Sequence, residues 1–331
     1  MVVRIGVFCS GGDAPGMNAC VRAAVRCATS MGHEVVGINR GYQGLIDENF
    51  YVNSAGEPRM TARSVSNIVQ RGGTILRSAR CPAFLTEDGM LKAVRNLKKH
   101  GIDALVPIGG NGTFRGAAEL IKRWEGRVVG CPGTIDNDLL GTDYTIGFST
   151  AVATGVEAID KLRDTAESHQ RLFLLEVMGR HSGFLALYTA LAGGAEFACV
   201  PETPTDIPGI VRHLEQLQKT GKKSIIGVVA EGDEEGGATI LQKKLDDAKC
   251  TFSTRATILG HIQRGGSPTP DDRMLATRLG DFAVKSLDLG ATGVMAGEIN
   301  SRCVLTPLAD TFAQHKPLPS ELIDLLDRMS N

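Results

Sequence analysis

The sequence predicts an α/β fold with two mainly parallel sheets. Short runs rich in β-branched residues alternate with longer segments of helical periodicity, which is typical of parallel βαβ units. The chain has 331 residues, more than the roughly 250–300 that one apolar core usually serves, so we expect two lobes. Several glycine doublets fall where a predicted strand leads into a predicted helix, and open parallel sheets bind ligands at such turns.

The predicted strands are short and apolar. The first, residues 3–8, reads Val-Arg-Ile-Gly-Val-Phe and leads directly into a glycine turn. Branched side chains of this kind fit a pleated, buried strand. The same composition predicts strands at residues 34–38, 104–108, 127–130, 172–178, 198–200, 224–230 and 256–259.

The predicted helices lie between these strands. In residues 150–168, apolar side chains such as Val152, Val156 and Ile159 recur near a spacing of three or four, which gives the helix one apolar face. Ser320 is expected to cap the last helix, because its hydroxyl can accept a hydrogen bond from the first turn. The predicted helices are residues 16–31, 91–100, 114–124, 150–168, 208–220, 272–287 and 320–329.

The composition excludes several classes of protein. Lys plus Arg number 36 and Asp plus Glu 37, which gives a formal net charge of -1 and argues against a strongly basic nucleic-acid binder. The longest apolar runs fall well short of the roughly 20 residues that a membrane helix needs. The chain starts with a strand-like run and shows no signal-peptide pattern. We therefore expect a cytoplasmic protein with no nucleic-acid or membrane partner.

Two glycine loops each follow a predicted strand and open a predicted helix. The first is Ser-Gly-Gly-Asp-Ala-Pro-Gly at residues 10–16, and the second is Gly-Gly-Asn-Gly-Thr at residues 109–113. Each would direct free backbone N–H groups and a positive helix end toward an anion. Neither loop has the Gly-Lys-Ser/Thr of a Walker loop, and neither fits the dinucleotide fingerprint. The alternative is a pair of tight turns without a ligand, but two loops at equivalent positions favour phosphate binding.

An acidic segment, Gly-Thr-Ile-Asp-Asn-Asp at residues 133–138, follows another predicted strand. Beside a bound phosphate, one of its two carboxylates, Asp136 or Asp138, could act as a base toward a substrate hydroxyl. The other could help to hold a metal-bound water. The alternative is an Asx-type turn whose carboxylates are solvated.

Several charged residues lie in polar, glycine-linked contexts in the second half of the chain. A planar guanidinium suits phosphate, so converging arginines indicate a phosphorylated substrate. Glu231 follows a predicted strand and could accept hydrogen bonds from a sugar hydroxyl; each of these residues could equally be an ordinary surface charge. The arginines are Arg171, Arg180, Arg255 and Arg264. Composition and spacing thus indicate a phosphoryl-transfer enzyme with a phosphorylated polyol substrate.

Four motifs, taken in order, carry a more specific resemblance. They are Gly-Gly-Asp-Ala-Pro-Gly-Met-Asn at residues 11–18, Pro-Gly-Thr-Ile-Asp-Asn-Asp at 132–138, Glu-Val-Met-Gly-Arg at 176–180, and Leu-Gly-His-Ile-Gln-Arg-Gly-Gly-Ser-Pro at 259–268. With these motifs the chain resembles the bacterial-type 6-phosphofructokinase family over nearly its whole length.

The resemblance implies two Rossmann-like α/β/α lobes with the active site in the cleft between them. The larger, ATP-binding lobe would comprise residues 1–146 and about 262–305. The smaller, sugar-phosphate-binding lobe would comprise residues 147–261 and about 306–331. The reaction implied is transfer of the γ-phosphoryl group of MgATP to the 1-hydroxyl of fructose 6-phosphate, a step of glycolysis.

The family's functional residues match positions of this chain. Asp136 matches the general base, and Thr134 and Arg180 complete the catalytic set. The ATP-binding matches are Gly11, Gly12, Tyr42, Arg80, Cys81, Gly110, Asn111, Gly112, Thr113 and Gly116. The substrate-binding matches are Thr134, Asp136, Arg171, Met178, Gly179, Arg180, Glu231, Arg255, His261 and Arg264. In the family, the matches of Arg171 and Arg255 come from a neighbouring subunit, which implies a homotetramer.

Two positions bear on the phosphoryl donor, and a third departs from the family pattern. Pyrophosphate-using relatives place Asp at Gly112 and Lys at Gly133, so the two glycines favour ATP.

ATP-using relatives carry Asp where this chain has Asn111, beside which Asp138 is a weaker metal candidate. An amide keeps an oxygen for Mg²⁺ but loses the charge that hard cations prefer. The alternatives are therefore a weakened or non-catalytic regulatory homologue, or a pyrophosphate-dependent variant.

The resemblance also implies an effector site between subunits, for ADP or phosphoenolpyruvate. The matching residues are Arg22, Arg26, Arg163, Glu196 and Lys222. Three departures weaken the match: Asn67 replaces an Asp, Thr220 replaces a basic residue, and Ala62-Arg63 disturbs the pattern where an Arg is expected. Arg22 and Arg26 could equally be an exposed i, i+4 pair on the first helix.

Overall fold

A computed structural model describes residues 2–169 and 171–330, and in it the chain divides into two compact units. The first unit is Met1–Ile135, Leu139–Ser149 and Arg264–Lys316; the second is Asp136–Asp138, Thr150–Gln263 and Pro317–Asn331. The last crossing between the units follows Lys316, whereas the resemblance implies one near residue 305. The reason is the strand Arg302–Pro307, which pairs antiparallel with Val294–Ile299 and keeps the following residues in the first unit.

The first unit contains a six-stranded sheet formed by described residues. Its strands are β1 (Arg4–Cys9), β2 (Glu34–Ile38), β3 (Ala104–Gly109), β4 (Arg127–Pro132), β9 (Val294–Ile299) and β10 (Arg302–Pro307). Their order is β10-β9-β4-β3-β1-β2, and every pairing is parallel except that of β9 with β10. The core includes the buried rings of Phe8 and Phe114. Because β4, β3 and β1 are parallel neighbours, the sheet presents their carboxyl ends side by side.

The second unit contains a smaller sheet, with four strands among the residues that the structure describes. They are β5 (Arg171–Val177), β6 (Phe197–Cys199), β7 (Ile225–Ala230) and β8 (Ser253–Ile258). Their order is β6-β7-β5-β8 and all pairings are parallel. The predicted α/β class with mainly parallel sheets is confirmed.

The helices connect these strands as βαβ units require. They are α1 (Met17–Ser30), α2 (Gly41–Asp47), α3 (Glu87–Lys99), α4 (Asn111–Leu120), α5 (Phe148–His169), α6 (Phe184–Gly193), α7 (Ile207–Lys219), α8 (Gly237–Asp247), α9 (Pro270–Asp288), α10 (Leu308–Thr311) and α11 (Ser320–Met329). Within residues 2–169 and 171–330, no helix combines the length and apolarity that crossing a membrane requires.

The N-terminal ends of α11 and α4 correct two of the sequence-based predictions. The capping role predicted for Ser320 is wrong, because Pro319 occupies the N-cap position of α11 and makes no side-chain capping bond. Helix α4 starts at Asn111, three residues before the predicted start, since Gly110 is its extended N-cap residue. The second glycine loop therefore merges into the first turn of α4.

Candidate functional site

The two glycine loops of the first unit are joined by hydrogen bonds. They follow β1 and β3, which are neighbouring parallel strands. The backbone N–H of Ser10 donates to the carbonyl of Ile108 at 3.0 Å, and the Thr113 hydroxyl donates to the carbonyl of Ser10 at 3.1 Å. The chain continues from β1 to β2 on one side, whereas β3 lies on the other. Such a switch point is where open parallel sheets bind their ligands.

Glycine serves different purposes within these loops. Gly11 and Gly16 have φ values of +86° and +103°, a left-handed backbone that glycine adopts without strain. At Gly112, by contrast, the backbone is not left-handed. Apart from its chain neighbours and the backbone of its own helix, no heavy atom lies within 4 Å of where a Cβ would stand. Neither the backbone nor the packing requires glycine at position 112. The absence of a side chain there leaves open space at the N-terminal end of α4, where anions bind favourably.

Close packing explains why residue 133 is a glycine. A Cβ at this position would lie 2.9 Å from the Ile108 side chain and 3.1 Å from that of Met17. Of the two glycines expected to favour ATP, only Gly112 thus lacks a structural reason of its own.

Arg264 lies against the first glycine loop. Its Nη1 donates to the carbonyl of Asp13 at 3.2 Å. The same atom lies 2.6 Å from the position of a Cβ on Gly12. The resemblance assigns Arg264 to the sugar-phosphate pocket and the first glycine loop to the nucleotide. In the structure, Arg264 contacts that loop. This contact spans 251 positions, and no local sequence pattern predicts it.

An aromatic pair packs behind the second loop. The rings of Tyr42 and Phe84 stack with centroids 4.0 Å apart, and the Tyr42 hydroxyl donates to the carbonyl of Thr113 at 2.6 Å. Burial raises the pKa of the Tyr42 phenol far above its usual range, so it remains a donor. A Cβ on Gly116 would lie 2.9 Å from the Tyr42 ring, so glycine lets α4 approach. Phe84 was not predicted as part of this site.

The two remaining nucleotide candidates lie just before Phe84. Arg80 is exposed and Cys81 is half-buried, immediately before the 3-10 turn Pro82–Leu85. Burial raises the pKa of the Cys81 thiol. Cys81 therefore packs as an apolar group against the core, whereas the Arg80 side chain is open to solvent.

The acidic segment after β4 is buried. Asp136 is only 6 % exposed and Thr134 only 8 %, whereas Asp138 is half-buried. The Thr145 hydroxyl donates to the carbonyl of Thr134 at 2.6 Å, and the Ser182 hydroxyl donates to that of Asp136 at 2.8 Å. A solvated Asx-type turn does not describe Asp136, because the residue is buried and its backbone carbonyl is hydrogen-bonded. A shielded carboxylate suits a general base.

The carboxyl edge of the second sheet brings further candidates together. The loop after β5 has left-handed φ values at Gly179 (+137°) and Arg180 (+55°). The backbone N–H of Arg180 donates to Glu231 Oε1 at 2.9 Å, and Glu231 directly follows β7. His261 lies in the 3-10 turn Gly260–Arg264 that follows β8. Since β7, β5 and β8 are neighbours, the three segments share one edge.

Arg171 and Arg255 do not lie at that edge. Arg171 is the first residue of β5, and Arg255 lies opposite Phe173 in the pairing of β8 with β5. Val177 lies six positions after Arg171 in β5, which corresponds to about 20 Å along a strand. An arginine side chain spans far less than this distance. Within one chain, Arg171 therefore cannot reach the loop that contains Met178 and Arg180.

The five effector candidates form two groups. In the second unit, the buried carboxylate of Glu196 pairs with Lys222 at 2.8 Å and with Arg163 at 3.5 Å. Arg163 and Lys222 line a pocket of about 410 Å³. In the first unit, Arg22 and Arg26 of α1 line a pocket of about 650 Å³ together with Arg278 and Asp281. In each pocket, carboxylate side chains partly balance the positive charge.

The described residues contain no group of three His, Cys, Asp or Glu side chains that could hold a metal ion. The metal candidates offer an amide oxygen on Asn111, the first residue of α4, and the half-buried carboxylate of Asp138. These hard oxygen donors fit Mg²⁺, which often takes one or two protein ligands and completes its shell with phosphates and water.

Two hydrogen-bonded glycine loops at the switch point of a parallel sheet are suited to bind phosphate groups, as the class of phosphoryl-transfer enzymes requires. A sequence model described as Phosphofructokinase matches residues 4–287. The chain belongs to the phosphofructokinase family.

Similar proteins agree with this assignment. The chain is 54% identical over 322 residues to "ATP-dependent 6-phosphofructokinase 1" of Thermus thermophilus, covering 97% of this chain and 98% of that protein. It is 47% identical to "ATP-dependent 6-phosphofructokinase" of Cytophaga hutchinsonii, covering 99% and 98%.

Solved structures have the same fold. The Pichia pastoris phosphofructokinase in the T-state matches with a TM-score of 0.87 at 33% identity, over 99% of this chain. This chain spans only 37% of that longer one. A pyrophosphate-dependent phosphofructokinase from Marinobacter aquaeolei matches with a TM-score of 0.82 over 98% of this chain and 91% of its own. At 20% identity, that likeness shows the fold alone.

Proposed function

We propose that this protein is an ATP-dependent 6-phosphofructokinase. The observation that carries the proposal is the pair of hydrogen-bonded glycine loops at the β1/β3 switch point, with the segment of Thr134 following the next strand, β4. The names of the full-length relatives point to the same activity. As an enzyme of glycolysis, it is proposed to act in the cytoplasm.

Asp136 is the proposed base. Its carboxylate would accept the proton of the 1-hydroxyl of fructose 6-phosphate while the hydroxyl oxygen bonds to the γ-phosphorus. The bond between that phosphorus and the bridging oxygen breaks, and ADP leaves. Because the protein takes little part in covalent chemistry here, positioning and charge neutralisation must supply most of the catalysis. Arg180 and the loop N–H groups are proposed to supply the neutralising charge.

ATP is the proposed donor, with Gly112 as the main support. A triphosphate extends beyond the two phosphates of pyrophosphate, and the open space at Gly112 suits the additional group. A comparison of ATP with pyrophosphate as the donor tests the proposal. We expect product when ATP is the sole phosphoryl donor. Activity with pyrophosphate but not with ATP would contradict the proposed donor.

Mg²⁺ is the proposed metal, held by Asn111 and Asp138 together with phosphate oxygens. When bound, Mg²⁺ neutralises charge that develops on the transferred phosphoryl group. The amide of Asn111 contributes dipole but no charge to this site. We therefore propose an enzyme whose magnesium affinity is weaker than a carboxylate would give.

Asn111→Asp should lower the Mg²⁺ concentration that gives half-maximal activity by about tenfold to a hundredfold. An added carboxylate beside a hard cation is worth on the order of 1–3 kcal/mol. The measurement is a magnesium titration of activity for the parent and the variant. If rate and magnesium requirement both stay unchanged, Asn111 does not serve the metal. An inactive parent that becomes active as the Asp variant would indicate a regulatory homologue.

We also propose a homotetramer whose sugar-phosphate sites are completed across subunits. The support is the position of Arg171 at the amino end of β5, about 20 Å along the strand from the loop after β5. If Arg171 and Arg255 contact the sugar phosphate, a second copy must supply them.

Mixed oligomers test this arrangement. Arg255→Ala and Asp136→Asn subunits should each be nearly inactive alone, yet regain part of the parent activity when co-assembled. In a mixed pair, one site would combine the native Asp136 of one subunit with the native Arg255 of the other. Activity that stays at the level of the separate variants would mean that Arg255 acts within its own chain.

Effector binding is proposed for the pockets of Arg163 and Lys222 and of Arg22 and Arg26. Their guanidinium and ammonium groups suit a phosphorylated anion such as ADP or phosphoenolpyruvate. Glu196 neutralises part of this charge, so an effector would have to compete with it or arrive with a cation.

A further inference from the structure

We propose that Gln263 is a positioning residue for the sugar-phosphate site. It would fix the loop after β5 relative to the turn that contains His261 and Arg264. The inference rests on the proposed function, since those two residues and the loop of Met178 and Arg180 are assigned to the same substrate.

The Gln263 side chain is fully buried, although its neighbours His261 and Ile262 are exposed. Its Oε1 accepts a hydrogen bond from the backbone N–H of Met178 at 2.7 Å. Its Nε2 donates to the carbonyl of Ala151, in the first turns of α5, at 3.3 Å. A buried amide is tolerated when both of its polar ends are satisfied in this way. One side chain therefore joins three segments that are far apart in sequence.

The loop after β5 needs such an anchor, because its backbone is in an unfavourable conformation. Gly179 and Arg180 both have left-handed φ values, and a residue with a Cβ, such as Arg180, rarely adopts them. Farther along the loop, Glu231 accepts from the N–H of Arg180, and the N–H of Ser182 donates to the carbonyl of Gly179 at 3.0 Å. Gln263 fixes the start of the loop at Met178. Without it, this N–H would be buried without a partner and the loop would be free to shift.

Variants of Gln263 separate positioning from folding. Gln263→Met keeps the length and apolar volume of the side chain but removes both hydrogen bonds. It should raise the KM for fructose 6-phosphate about tenfold and leave the KM for ATP within about twofold of the parent. Gln263→Glu keeps the acceptor for Met178, so its KM for fructose 6-phosphate should stay within about threefold.

Asn96 provides a matched control in the first unit. Its buried amide donates to the carbonyls of Leu45 and Ile46 at 2.9 and 3.0 Å. Asn96→Leu should lower the melting temperature about as much as Gln263→Met but leave the KM for fructose 6-phosphate unchanged.

The outcomes distinguish this inference from the proposed function. A parent protein that never phosphorylates fructose 6-phosphate contradicts the proposed function itself. An active parent whose Gln263→Met variant keeps its KM for fructose 6-phosphate, or raises both KM values equally, contradicts the positioning role. If Gln263→Met does not fold, Gln263→Glu decides the question, because a tenfold rise in its KM for fructose 6-phosphate would show that the Met178 bond is not what matters.

Discussion

Replacing Asp136 by Asn should lower kcat by about three orders of magnitude. A positioned general base typically contributes a factor of 10² to 10⁴, and an amide cannot accept the proton of the 1-hydroxyl. The side chain is 6 % exposed and close to the same size in both residues, so the fold should tolerate the change. Steady-state kinetics with fructose 6-phosphate and MgATP measure the effect.

The control for this prediction is Asp246→Asn, which changes an exposed carboxylate on α8. It should leave kcat within about twofold. Fructose 6-phosphate should still bind to Asp136→Asn, since only the proton acceptor is lost. A variant that keeps more than a tenth of the parent kcat would rule out Asp136 as the base.

Gly112→Asp should lower kcat/KM for ATP by at least about a hundredfold. The new carboxylate would occupy the open space at the start of α4, where we propose that the nucleotide phosphates bind. Two like charges about 4 Å apart repel by roughly 4 kcal/mol at an effective dielectric constant of 20, which is more than this prediction requires.

Gly112→Asn separates charge from size, because the amide has nearly the same volume. The loss of kcat/KM for ATP should be about tenfold smaller in this variant than in the Asp variant. Since nothing packs against position 112, neither variant should lower the melting temperature appreciably. If the Asp variant keeps full ATP activity, the phosphates do not pass Gly112 and the structural argument for ATP fails.

The elements that sequence analysis predicted are those with a regular pattern. Strands such as β1 and β3 combine branched side chains with a following glycine loop, and both loops lie at a strand-to-helix turn as predicted. Helix α6 was not predicted, because its sequence is apolar on every side and has no amphipathic period. Strands β9 and β10 were not predicted either. Gly297 interrupts the apolar pattern of β9, since a side chain there would meet the backbone of Gly141.

The candidate site depended more on resemblance than on pattern. Spacing alone indicated two glycine loops and paired carboxylates, but could not decide whether Asp136 was solvated. Its burial is a tertiary property, as is the bond from Ser182 to its carbonyl across 46 positions. Two further hydrogen bonds join distant segments: that of Arg264 with Asp13 and that of Gln263 with Met178. Local sequence carries no signal for such pairings, so only the fold could reveal them.

The most direct test of the proposed kinase activity is to supply the purified protein with fructose 6-phosphate and γ-labelled MgATP and identify the product. We expect the label on the 1-position of the sugar, giving fructose 1,6-bisphosphate and unlabelled ADP in equal amounts. The opposite result, an intact oligomer that binds fructose 6-phosphate and leaves the label on ATP, would contradict the proposed activity. The protein would then be a regulatory homologue or would use another phosphoryl donor.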